Sequence, residues 1–260
     1  MIKIIPLSVT KVDLDRAPED HRVLFLLAGQ FANDINLLRK QLIFANNGAG
    51  RDEFGNRTSM ALAMLMVRLL VARMVAAWEL LERKKYLDLL VQAITELSTD
   101  DDTRPYAEAA SRAVPLLTAA FVAGGTLSLV RRKAAAHTDI ANLKSAYAAL
   151  PADYEMTDYL SEVVGNCLYG AADDLAVRVT LDFTGHDEPK VAISHLADST
   201  IEASGAMEDL LQAWMTYFVI AHLNDRLNDA TEKLFYVADA PRMGDVQTPF
   251  VLEASTDEDL

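Results

Sequence analysis

Apolar residues recur at steps of three and four along nearly the whole chain, whereas alternating strand-like runs are scarce. This pattern predicts an all-α fold, a helical bundle of about six helices. The first helix is expected to begin near Pro18, with Glu19 and Asp20 placed favourably against its N-terminal dipole. Its apolar stripe reads Leu24, Leu27, Phe31, Ile35, Leu38 and Leu42, and the run Asn46-Asn47-Gly48 ends it. After a polar loop, Thr58 is a cap for a very long second helix reaching about Leu97, so the first two helices form a long antiparallel hairpin.

Further along, Thr103 or Asp102 caps a third helix with Pro105 in its first turn; Pro115 is expected to kink or split it, and Gly124-Gly125 to break the chain. A fourth helix runs from about Thr126 to Leu150, with an interruption near Thr138-Asp139, and a fifth from about Tyr154 to Leu181. The run from Thr184 to Pro189 reads as a turn, and a last helix spans about Asp198 to Tyr236. The resulting division is an extended lead-in over 1–17, the bundle over 18–237, and an acidic tail over 238–260 that has little periodicity and is expected not to fold.

Composition narrows the picture. Of 260 residues 51% are hydrophobic, enough for a sizeable core. Cys167 is the single cysteine and has no intramolecular disulfide partner; with no Cys/His pairs at zinc-site spacing and only a short apolar stretch before Pro6, a cytoplasmic setting is expected. The most hydrophobic stretch, 60–81, has the length of a membrane helix, but Arg68, Arg73 and Glu79 inside it point to a buried helix of a soluble protein and no membrane partner. The net charge is −14, of which residues 239–260 supply −5. Such a chain repels nucleic acid at long range, so any RNA contact requires a local basic patch.

One basic patch stands out. Residues 127–139 read Leu-Ser-Leu-Val-Arg-Arg-Lys-Ala-Ala-Ala-His-Thr-Asp, which sets Arg131 six positions and Arg132 five positions before His137 on a predicted helix. In that setting the segment resembles the HEPN superfamily of helical bundles, whose motif is an arginine, usually followed by asparagine, and then a histidine after a few residues. Here Arg132 stands where the family usually has asparagine. The resemblance implies a ribonuclease of toxin or phage-defence type that needs no metal or other cofactor. It also implies RNA as substrate, a homodimer that brings two motifs together, and an antitoxin or other protein partner. His137 would move the proton of the attacking 2′-hydroxyl, while Arg131, or Arg132 if it leads, would steady the charge on the phosphate. On a regular α-helix five residues turn through about 500° and six through about 600°, so a bend, a helix end or a second subunit has to bring these groups together.

Plainer readings stand beside this one. Leu127, Val130, Ala134 and His137 fall on one helical stripe, so His137 also reads as a histidine at the core edge, and Arg131-Arg132-Lys133 as a solvated basic face. Asn33, Asp34, Asn36 and Glu79 are polar near apolar stripes and suit either a pocket or a structural hydrogen bond. Asp173-Asp174 and the carboxylates from Glu202 to Glu208 lack the Glu-x-x-His repeats of di-iron bundles. Met60, Met64, Met66 and Met74 read as adaptable core packing, and Trp214, Tyr217 and Phe218 as packing or a subunit contact. The alternative function is therefore a catalytically silent, dimeric protein-interaction module, with the acidic tail suited to a basic site on a partner.

Overall fold

The computed structural model describes residues 2–4, 6–47, 52–83, 86–135, 140–161, 167–230, 235–237 and 241–246. Among the described residues the regular structure is all-α apart from a short antiparallel ladder, in which β1 (Ile2–Ile4) pairs with β2 (Phe235–Val237) in the register Ile2 to Val237. Its helices are α1 (Lys11–Asp15), α2 (Glu19–Asn46), α3 (Glu53–Arg83), α4 (Tyr86–Leu97), α5 (Arg104–Ala120), α6 (Thr126–Val130), α7 (Ile140–Ala148), α8 (Gly170–Asp182), α9 (Pro189–His222) and α10 (Asn224–Ala230). A π-wound segment, Arg131–Ala135, continues α6. The chain forms two compact units, and α2, α3 and α9 each contribute a segment to both.

The first unit comprises Met1–Leu37, Arg73–Ala123 and Ser199–Pro241. Leu24, Phe31 and Ile35 of α2 are buried as their spacing predicts, and the last part of α3 lies against α2 in the opposite direction. Arg73 joins the two helices, pairing with Asp34 and placing its guanidinium 4.5 Å from the centre of the Phe31 ring. Asp34 thus serves structure rather than a pocket. Phe25 stacks on Phe218 at 4.1 Å, and Trp214 and Phe218 are fully buried. Helix α5 packs on α4, and its Ala107, Ala110 and Ala113 are buried. It runs on through Pro115 without splitting, and Thr103 donates its hydroxyl to the Leu97 carbonyl at 2.7 Å instead of capping α5.

The expected extended lead-in contains α1, opened by a capping box between Thr10 and Asp13. Asp13 is a buried carboxylate that accepts from the Thr10 hydroxyl at 2.6 Å, the Thr10 N–H at 2.9 Å and Arg226 at 3.0 Å. The Thr10 hydrogen bonds first, and Arg226 after them, hold Asp13 far below the ordinary carboxylate range. A second pair, Arg16 to Asp225 at 2.9 Å, ties the residue that ends α1 to α10. Close by, His21 Nδ1 lies 3.2 Å from His222 Nε2, so one imidazole must offer a lone pair to the other.

The second unit comprises Leu38–Ala72, Gly124–Asp198 and Arg242–Leu260. Here α3 starts before Thr58, because the Asp52 carboxylate accepts the Gly55 N–H at 2.6 Å; Thr58 lies buried inside the helix and donates to the Gly55 carbonyl. Among the described residues α3 is the helix long and apolar enough to cross a membrane, yet Leu70, Val71, Met74, Trp78 and Leu81 form a buried row and Arg68 and Arg73 interrupt it, which fits a core helix. Met64 and Met74 are core, whereas Met60 is exposed. The helix expected from Tyr154 is confined to α8. Tyr159 and Leu168 exchange both backbone hydrogen bonds at 2.8 Å, which removes those groups from any helical ladder. Asp158 then accepts the Ala171 N–H at 2.9 Å and caps α8. A Cβ on Gly170 would lie 2.1 Å from the Thr157 carbonyl oxygen, so only glycine permits this entry. The last long helix begins at Pro189 and ends at His222, followed by α10 and β2. Most of the 238–260 tail, and the Thr138-Asp139 interruption, lie outside the described residues.

Two outcomes are expected. Burial, and then His21, hold the His222 pKa below the usual 6.5, while Glu96 opposes them. The unfolded chain therefore takes up a proton that the folded His222 resists, and stability falls as the pH drops below about 6.5. Urea denaturation at a series of pH values checks this: His222→Gln should lose less stability on acidification than the wild type, and equal losses would contradict it. Gly170→Ala should lower stability by about 1–3 kcal/mol, read as a shift in the urea midpoint; an unchanged midpoint would show that the Thr157 backbone yields freely.

Candidate functional site

Gly124, at φ 86°, turns the chain in a conformation that other residues rarely adopt, and Gly125 leads in extended backbone into α6. Leu127 and Val130 are buried and anchor the short helix in the second unit. The Arg131 N–H reaches the carbonyls of both Leu127 and Ser128, and the winding then widens to the π form over Arg131–Ala135. In a π turn the hydrogen bond spans five residues rather than four, so successive side chains rotate by less than the roughly 100° of an α-helix. The regular-helix angles expected for the motif therefore do not hold over these positions. Arg131 and Lys133 are half-buried and both engaged in interactions, and Arg132 is exposed. His137 lies outside the described residues, so the structure gives the winding and exposure of the two arginines without placing the imidazole.

The π-wound segment packs against α8, and so does α7. Helix α8 carries a polar cluster that composition alone leaves anonymous. Arg57 donates to Asp174 at 2.8 Å, and the Tyr159 hydroxyl donates to Glu53 at 3.2 Å, with the Phe54 ring edge-on to Tyr159 at 4.9 Å. Burial, and then the Glu53 hydrogen bond, push the Tyr159 pKa up. Burial likewise raises the Asp173 carboxyl, against the pull of Arg68. Asp173 and Asp174 thus belong to an ionic and hydrogen-bonded cluster of the second unit.

The same helix lines a cleft of about 210 Å3. Asp174, Arg178 and Asp182 from α8, Tyr154 from the preceding loop, and His186 and Asp187 from the turn before α9 supply its polar groups, and Leu175, Val177 and Leu181 are among its apolar walls. The His186 ring lies edge-on to His195 at 4.9 Å. Periodicity treats 184–189 only as a turn, and Gly185 at φ 73° is that turn. The signal available in the sequence was the acid-base-acid spacing Asp174, Arg178, Asp182, which puts all three on one helical face just before the turn. No family model, curated protein or solved structure matches the chain.

Proposed function

We propose that this protein is a cytoplasmic, homodimeric RNA-binding protein that cuts RNA without a metal, a HEPN-like endoribonuclease of toxin or phage-defence type held in check by a protein partner. The observation that carries this reading is the pair Arg131-Arg132 in a π-wound stretch anchored by Leu127 and Val130 and packed on α8. Irregular turns of this kind within helices recur at functional sites. Lys133 extends the basic run, giving an acidic chain the local patch that a phosphate backbone needs.

In the proposed reaction the RNA 2′-oxygen attacks the neighbouring phosphorus as His137 accepts its proton. The bond to the 5′-oxygen breaks, a 2′,3′-cyclic phosphate forms, and the leaving oxygen takes up a proton. Arg131 and Arg132 stabilise the charge that builds on the non-bridging oxygens, which a guanidinium grips two at a time. A second reading, a catalytically silent dimeric interaction module, draws on Leu65 and Leu69, exposed one turn apart on α3.

Incubation of the purified chain with single-stranded RNA in chelator-treated buffer tests the enzyme. Wild type should leave cyclic-phosphate ends, and His137→Ala should slow cleavage by roughly a hundredfold or more. Arg131→Ala should also slow it. No cleavage, or equal cleavage by wild type and His137→Ala, would leave the interaction module as the better reading.

A further inference from the structure

We infer that the α8 cleft is a guanine-binding pocket, which takes a base splayed out of single-stranded RNA. The identity of the RNA substrate rests on the function proposed above; the fit of the base rests on the cleft alone.

Arg178 and Asp182 lie four residues apart on α8, so they share a face with Cβ atoms about 5–6 Å apart, and both line the cleft. Among the described residues neither makes an ion pair within 4.0 Å. Asp174, one turn earlier on the same face, is already committed to Arg57 at 2.8 Å. The cleft is therefore lined by a guanidinium and a carboxylate one helical turn apart that, among the described residues, have no ion-pair partner. A ligand that satisfies both must offer acceptors at one edge and donors at another.

Charge and shape narrow the choice. With Asp174 neutralised by Arg57, Asp182 and Asp187 outweigh Arg178, so an anionic phosphate is disfavoured inside and a neutral group is preferred. Tyr154, a 40% exposed aromatic residue, lines the cleft, and Leu175, Val177 and Leu181 supply apolar walls, which suits a flat heterocycle. Guanine meets each demand. Its O6 and N7 accept from an arginine fork, and its N1–H and N2 amino group donate together to one carboxylate. Adenine and uracil lack that paired donor edge. An α-amino acid carries both charges on a single carbon, closer together than one helical turn, and has no flat face for Tyr154.

Equilibrium dialysis of the full chain against guanosine, inosine, adenosine, uridine and L-methionine tests the assignment without any catalysis. Guanosine should bind best, by roughly tenfold or more over adenosine and uridine, and inosine, which lacks the N2 amino group, should fall between. Asp182→Asn, a near-isosteric change at an exposed position, should remove the guanosine preference while leaving thermal unfolding unchanged, and His137→Ala should retain it. Equal binding of all nucleosides, undiminished guanosine binding by Asp182→Asn, or tighter binding of L-methionine would overturn the pocket. His137-dependent RNA cleavage with no guanosine preference would sink the pocket and spare the nuclease. Guanosine binding that depends on Asp182, with no RNA cleavage, would do the reverse.

Discussion

The backbone at Thr157 passes so close to Gly170 that a single methyl group would collide with it, and the position of α8 depends on that approach. Asp158 secures the same end by accepting the Ala171 N–H, and Arg57 holds the helix farther along through Asp174. With α8 fixed in this way, the π-wound arginine segment has a surface to pack on and the cleft has a wall. The proposed chemistry therefore depends on a backbone contact that contains no catalytic group. Rigid placement of this kind is what a phosphate-binding pair of arginines requires, because small displacements weaken bidentate contacts sharply.

Local periodicity makes much of the helical structure readable in advance. The stripe through Leu24, Phe31 and Ile35 is buried, α2 begins next to Pro18, and Gly124-Gly125 breaks the chain as expected. What escapes prediction is decided by partners distant in sequence or by side chains acting on backbone. The 235–237 run looks like the end of a helix until Ile2–Ile4 is available to pair with it. Tyr154 begins a plausible helical pattern, but the hydrogen bonds between Tyr159 and Leu168 claim that backbone first. Asp52 moves the start of α3 forward, and the Thr10 and Asp13 box builds α1 where apolar spacing is silent. The arginine pair was visible as a basic run, whereas the widened winding beneath it leaves no periodic signature. The cleft was written as the spacing of Asp174, Arg178 and Asp182, but only the fold brings Tyr154 and Asp187 to it.

Electrostatics divide the two units by role. In the first, the Asp13, Arg226, Arg16 and Asp225 pairs tie the α1 end to α10, and burial beside His21 makes His222 accept a proton poorly. These features serve stability. In the second, charge is arranged around α8 and the segment packed on it, where Arg57 pairs with Asp174 and Arg178 and Asp182 line the cleft. A net charge of −14 sets a repulsive background for RNA, so binding by this chain should be short-ranged and sensitive to salt.

Hydrogen exchange in the presence and absence of single-stranded RNA tests the central claim most directly, because it reports where RNA touches the chain whether or not cleavage follows. The account predicts slower exchange in peptides covering 126–135 and 170–189, with α4 and α5 unchanged. Protection confined to other elements, or none at RNA concentrations that saturate binding, would contradict it.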